Sequence, residues 1–266
     1  MDSGKARPAL IALDFDGTLV DWRDGTPYVS AQTRETLAQA IAGGIHVGLC
    51  SGRRWYDMRT MMASIGMAWG QPFPSFVVSL EKQLYWVRDG RLEENGFADF
   101  NRARAAEMEL LARDCLRCAP GWLEALGAAG LRHRIWHLYG DYGLEVTYET
   151  PEEAEQARIL LADLVQAVPN AHVHRNSRSA YVVPASCTKG IALRGMAEIL
   201  GLPPGRILGV GDSLNDLDMV DGRYGLVGAT LANADPVVLA AVRAAGGYIA
   251  SAPAEAGVHE VIRRML

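Results

Sequence analysis

The stretch Ala9-Leu10-Ile11-Ala12-Leu13-Asp14-Phe15-Asp16-Gly17-Thr18-Leu19 decides how the rest of the chain is read. An apolar run leads directly into two carboxylates two positions apart, and a glycine then opens a turn. A short run that is apolar throughout suits a strand covered on both faces of a parallel sheet. Carboxylates at its C-terminal end stand where open parallel sheets bind ligands. One can act as nucleophile or metal ligand, the other as acid and base.

Working outward, the same grammar repeats. Ala31–Ala42 reads as a helix, with Ser30 as its cap and Gly43-Gly44 as its stop. Ile45–Cys50 is a second apolar strand, Arg53–Ile65 a helix and Phe76–Ser79 a third strand. In the last third, Lys189–Leu200 is helical and Ile207–Val210 is a strand. Gly225–Val227 and Tyr248–Ile249 follow as short strands, with helices at Pro236–Ala245 and Ala256–Leu266. Strands alternating with helices predict an α/β fold with a doubly wound, Rossmann-like parallel sheet. The middle differs. Ala98–Leu126 is helical but broken near Pro120-Gly121. Strands over Arg132–Tyr139 and Leu144–Tyr148, a helix over Glu152–Val168, and strands over Ala171–Arg175 and Ala180–Val183 come after it. This order predicts an antiparallel sheet with helices on one face. Residues 85–185 are therefore expected to form an α/β domain inserted into a core built from 1–84 and 186–266.

Composition removes several function classes. Of the 266 residues, 49% are hydrophobic and 21% charged, which excludes a disordered or fibrous chain. A net charge of −5 argues against a coat for nucleic acid or for an anionic membrane. No stretch approaches the ~18 apolar residues that span a bilayer. The apolar run near the start is too short, and too soon interrupted by Asp14, for a signal peptide. Four scattered cysteines do not make a disulfide framework, so a cytoplasmic location is expected. Oligomeric state is left open by the sequence. The cations are 23 Arg and only three Lys (Lys5, Lys82 and Lys189), and a lysine's compact charge is not one that Arg imitates.

Three further segments carry chemistry. Cys50-Ser51-Gly52-Arg53 puts a hydroxyl at a strand end, before a glycine and a helix start, where backbone N–H groups meet anions. Lys189-Gly190 opens a helix, a place where the helix dipole disfavours a cation, which points to a use for the ammonium. Gly209-Val210-Gly211-Asp212-Ser213-Leu214-Asn215-Asp216 runs a strand into more carboxylates at the same sheet edge. Clustered hard oxygen ligands suit Mg2+.

In order and spacing, DFDGTL, SGR, KG and GDSLND resemble the four motifs of the haloacid dehalogenase-like phosphohydrolases. The likeness runs from about Leu10 to the C-terminus. It is greatest to the Cof-like subgroup, which includes sucrose-phosphate and mannosyl-phosphoglycerate phosphatases and inserts a large cap between the second and third motifs. The resemblance implies that Asp14 attacks phosphorus and that Asp16 protonates the leaving oxygen and then deprotonates water. It implies Mg2+ held by Asp14, the backbone carbonyl of Asp16, and Asp212, with Asn215 and Asp216 as additional ligands or one step out from the metal. Ser51, Gly52, Arg53, Asn215 and Lys189 would bind the phosphoryl group. The implied partner is a small phosphorylated substrate, a sugar phosphate or a glycosyl-phosphoglycerate. A phosphomutase of the same fold and a non-catalytic metabolite-binding module are the alternatives. One departure stands out: Cof-like proteins commonly show Asn-Gly after the third strand, and this chain has Glu81-Lys82.

Other signals are weaker. The insert carries four of the six histidines, and Arg132, Arg134, Arg175 and Arg178 lie near or on its strands, so a local basic surface is expected. Cys115 and Cys118 lack the partners of a zinc site. Trp22, Tyr28 and Trp55 are candidates for a sugar-binding mouth or for core packing.

Overall fold

A computed structural model of the protein describes residues 7–138 and 142–266. The chain runs β1 (Leu10–Leu13), β2 (Asp21–Arg23), β3 (Thr26–Tyr28), α1 (Ala31–Ala42), β4 (His46–Ser51), α2 (Trp55–Ser64) and β5 (Phe76–Ser79). It continues through β6 (Gln83–Arg88), β7 (Arg91–Glu93), α3 (Ala98–Ala128), β8 (Ile135–Leu138), β9 (Leu144–Thr147), α4 (Pro151–Leu164), β10 (Ala171–Asn176) and β11 (Ser179–Pro184). The last third is α5 (Lys189–Ile199), β12 (Ile207–Val210), α6 (Leu217–Val220), β13 (Val227–Thr230), α7 (Pro236–Ala244), β14 (Tyr248–Ile249) and α8 (Ala254–Met265).

Two compact units emerge, one from residues 1–100 with 188–266, the other from 101–187. The first holds an eight-stranded sheet of order β14-β13-β12-β1-β4-β5-β6-β7, parallel as far as β5. Central β1 pairs with β12 on one side and β4 on the other, Leu10 facing both Ile207 and His46. Its four residues are fully buried because both sheet faces are covered. Ile11 and Leu13 join a core with Leu37 of α1, Met58 and Met62 of α2 and Val258 of α8. Leu10 and Ala12 join a second core with Leu193 and Met196 of α5 and Val238 of α7. Period-2 alternation within one apolar run thus feeds two cores, which is the doubly wound fold.

Close approach sets one residue type. A Cβ on Gly228 of β13 would land on the Val220 carbonyl oxygen at the end of α6. Gly228→Ala is expected to lose about 1–3 kcal/mol through overpacking, read as a lower midpoint in urea unfolding.

The second unit has its own four-stranded antiparallel sheet, β10-β11-β9-β8. Its core joins Leu111, Cys115 and Trp122 of α3 and Leu161 of α4 to Val146 and Val182. The capping box of Thr150 and Glu153 starts α4.

Several expectations need correction. Helix α3 runs unbroken through Pro120. Pro120 and Leu116, whose carbonyl the proline leaves without its partner, are both exposed, so water can satisfy that group. Residues 85–100, expected in the insert, belong to the first unit, because β6 pairs antiparallel with β5 and β7 with β6. The hairpin β2–β3 was not expected either. Both hairpins turn at Asp-Gly with positive φ, Asp24-Gly25 and Asp89-Gly90, a sequence signal for such turns. The strand expected at Gly225–Val227 lies at Val227–Thr230. Of the strand expected over Arg132–Tyr139, Ile135–Leu138 is formed and Tyr139 lies outside the described residues, as does Lys5. Among the described residues, no helix is long and apolar enough to cross a membrane.

Candidate active site

The site is built where β1, β4 and β12 end. Asp14 follows β1, and its N–H donates to the Val210 carbonyl (2.9 Å), which ties the two strand ends together. Gly17 turns the chain at φ 73°, and a Cβ there would lie 2.7 Å from Asp212 Oδ2. Thr18 then donates to Asp212 Oδ1 (2.5 Å). After β12, the Asp216 carboxylate accepts from the N–H groups of Asp212 and Ser213 (2.9 Å each), fixing the turn that carries it.

Lys189 is fully buried. Its ammonium donates to Asp14 Oδ1 (2.6 Å) and Asp216 Oδ1 (2.5 Å). Asp218 aims it: its two oxygens accept from the Thr188 hydroxyl (2.5 Å) and the Gly190 N–H (3.0 Å), the residues on either side of Lys189. Burial alone would lower the Lys189 pKa, but Asp14 and Asp216 more than reverse that and hold it well above the usual lysine value.

Asp14, Asp212 and Asp216 are all buried, and each brings a carboxylate oxygen within 4.8 Å of the others. Burial and then Asp216 push Asp14 well above the ordinary aspartate range, against the pull of Lys189. Burial and Asp216 raise Asp212 to about 7. Three carboxylates around one ammonium leave uncompensated negative charge in a dry site. A divalent cation fits that donor set, being a hard ion that takes carboxylate oxygens. A further buried acceptor, Asn215 Oδ1, has no partner among the described residues. The residues present therefore fit Mg2+.

The remaining expected residues fall in two groups. Ser51 is buried at the end of β4, its Oγ accepting from the Arg53 N–H (3.2 Å), and Gly52 sits between them. Arg53 and Asp16 form a pair of their own: Nε donates to Oδ2 (2.5 Å) and Nη2 to Oδ1 (2.9 Å). The Asp16 side chain is thus held by arginine, outside the three-carboxylate cluster. Asn215 donates through Nδ2 to Glu81 Oε1 (2.8 Å).

Sequence reading did not single out Thr18 or Asp218 and noted Glu81 only as a departure. Each meets its partner across a long stretch of chain, Glu81 and Asn215 being 134 positions apart. Asn233 was also missed; its Nδ2 donates to the Gly17 carbonyl (2.8 Å). Of the aromatic candidates, Trp55 packs against the core, Tyr28 lies under the Arg23 guanidinium (3.5 Å to the ring centre) and Trp22 is exposed. In the inserted unit, the expected basic surface is partly neutralised, since Arg134 pairs with Glu149 and Arg175 with Glu155. Cys115 and Cys118 are free thiols on α3.

A sequence profile of the haloacid dehalogenase-like hydrolases matches residues 11–79 and 144–262, well over half of the chain and all four motif segments. The chain is 27% identical over 259 residues to a protein of Methanospirillum hungatei JF-1 named phosphoglycolate phosphatase, covering 95% of this chain and 94% of that one. It is 22% identical over 254 residues to 5-amino-6-(5-phospho-D-ribitylamino)uracil phosphatase YwtE of Bacillus subtilis (strain 168), covering 79% and 84%. Among solved structures, sucrose-phosphatase from Synechocystis sp. PCC6803, in complex with sucrose and phosphate, matches with a TM-score of 0.66 at 18% identity over 98% of both chains. The chain therefore belongs to the haloacid dehalogenase-like hydrolases, and the enzyme is a phosphatase.

Proposed function

We propose that the enzyme is a Mg2+-dependent hydrolase of a small phosphorylated metabolite, of the sugar phosphate or glycosyl-phosphoglycerate class. The observation that carries the proposal is the buried Lys189 ammonium between Asp14 and Asp216. A carboxylate meets a phosphate dianion only where cations offset both charges, and a dry site makes each such cation count for more.

In this reading an Asp14 oxygen forms a bond to phosphorus as the bond to the leaving oxygen breaks, giving an aspartyl-phosphate. Asp16 gives its proton to the leaving oxygen. It then takes one from the water that attacks phosphorus, and the aspartyl bond breaks to return Asp14 and free phosphate. Arg53, bidentate on Asp16, orients that carboxylate while it is anionic. Ser51, the Gly52 N–H and Lys189 hold phosphoryl oxygens, with Arg53 and Asn215 at the margin of the same site. Bound by Asp14, the Asp16 carbonyl, Asp212 and Asp216, Mg2+ supplies positive charge against the phosphoryl oxygens. Substrate selection is assigned to the inserted unit, on the family resemblance. The free state of all four cysteines supports a reducing, cytoplasmic setting.

Inorganic phosphate release from a panel of sugar phosphates, glycosyl-phosphoglycerates, phosphoglycolate and nucleotides tests this. Release from one or a few members is expected, falling at least about 100-fold when a chelator removes the metal. Chelator-resistant turnover sinks the metal assignment. Silence across the panel, with aryl phosphates also untouched, sinks the substrate class.

A further inference from the structure

The loop joining β5 to β6 is held in a conformation its side chains disfavour. Leu80 and Glu81 have φ of 55° and 60°, in the left-handed region where glycine is at ease. Backbone strain of this kind persists where the surroundings over-determine it, and it concentrates at functional sites. Here the surroundings are explicit. The N–H of Leu80 donates to the Arg53 carbonyl (3.1 Å), that of Glu81 to Ser51 (3.0 Å) and that of Lys82 to Ser79 (3.2 Å). Glycine at 81 would relax the loop. The chain instead carries a carboxylate there and buries it.

That carboxylate has a specific partner. Its Oε1 accepts from Asn215 Nδ2 at 2.8 Å. The donor in this contact is the carboxamide nitrogen, so the end of Asn215 that faces Glu81 is the NH2 end. The amide oxygen then faces elsewhere, and Asn215 Oδ1 is buried without a partner among the described residues. A bare buried acceptor is costly, so it is a socket for a donor or a cation. Lys189 already binds Asp14 and Asp216. Phosphoryl oxygens do not fill the socket, because they too accept. What fits is a divalent cation or its coordinated water, beside Asp216, the next residue in the same short turn.

We propose that Glu81 is a positioning residue: it holds the Asn215 carboxamide by its nitrogen, so that the Asn215 oxygen serves the cation at the Asp14–Asp212–Asp216 cluster. The proposal rests on the metal assignment above and adds to it a residue outside the four motifs. For Asn215 it takes up the cation-side role that the family resemblance also implies; the new element is Glu81, which sets how the carboxamide is turned.

The test is titration of the metal-free full chain with Mn2+, without substrate, free Mn2+ being read by electron paramagnetic resonance. Glu81→Gly and Asn215→Ala are each expected to weaken Mn2+ binding about tenfold, the scale of a lost outer-shell contact. The double variant is expected to be no weaker than either single one, since Glu81 acts through Asn215. Glu81→Gln, whose side-chain oxygen can accept the same hydrogen bond, is expected to stay close to wild type. Glu81→Gly is also expected to melt at or above the wild-type temperature, because glycine relieves the positive φ, which separates lost positioning from a damaged fold. Unchanged affinity in Glu81→Gly, additive losses in the double variant, or a Glu81→Gln as weak as Glu81→Gly each overturns the proposal. A wild-type chain that takes up no Mn2+ overturns the metal assignment with it, whereas wild-type binding that Glu81→Gly leaves intact overturns this inference alone.

Discussion

Asp14→Asn is expected to fold as the wild type does and to lose at least about 10³-fold in phosphate release, roughly 4 kcal/mol of transition-state stabilisation. The two side chains have nearly the same shape. An amide oxygen can still accept from the Lys189 ammonium, which lies 2.6 Å from Asp14 Oδ1. The amide lacks the negative charge that makes the carboxylate a nucleophile, so the first bond to phosphorus does not form. Stability is expected to hold or to rise. Asp14 is buried and pushed well above the ordinary aspartate range, so its charged form is disfavoured in the fold, and a neutral amide removes that conflict. Phosphate release and a thermal melt on the same sample check both halves. Mass spectrometry should accompany them, since deamidation of the asparagine would restore the enzyme. Turnover near the wild-type rate by an intact, folded Asp14→Asn chain would remove Asp14 as the nucleophile.

Lys189→Met is expected to affect fold and reaction together. The substitution removes the ammonium that pairs with both Asp14 and Asp216, and it leaves buried carboxylates facing one another. Breaking a buried pair by deleting one partner costs about 3–5 kcal/mol. The metal-free variant should therefore melt well below the wild type. Phosphate release should fall at least about 100-fold, because one of the cations offsetting the phosphoryl charge is gone. Added Mg2+ should raise the melting temperature of Lys189→Met more than that of the wild type, since the cluster then carries more negative charge for the cation to neutralise. Lys189→Arg is not expected to rescue either property: the planar guanidinium does not fit a fully buried slot shaped for a compact ammonium. An unmoved melting point would show that the pair contributes nothing to the fold.

The central strands were readable because burial on both sheet faces forces them to be apolar throughout. Ile207–Val210 was placed to the residue for that reason, and the run expected from Ala9 to Leu13 differs from β1 by one residue at its start. The four motifs were readable because a parallel sheet brings separate strand ends to one edge, so distant segments of similar form can be expected to meet. Strands β6 and β7 were misassigned for a physical reason too. They are antiparallel additions at the sheet edge, with the half-buried pattern also expected of the insert. Their Asp89-Gly90 turn was the available signal. Glu81 and Asp218 lay beyond sequence reasoning as partners. Each contact depends on how two loops are placed by the whole sheet, and no local pattern encodes it.

The interrupted layout of the core has a consequence for how the chain is made. Strand β1 needs both β4 and β12, and β12 begins at Ile207, nearly two hundred residues later. Between them the ribosome delivers the whole of residues 101–187, a contiguous unit with its own hydrophobic centre. That unit can close while still tethered to the ribosome. The first hundred residues cannot, because their sheet lacks β12 and its neighbours until synthesis is nearly finished. The nascent chain thus carries an open-edged apolar sheet through most of its translation, and this is the interval in which aggregation competes with folding.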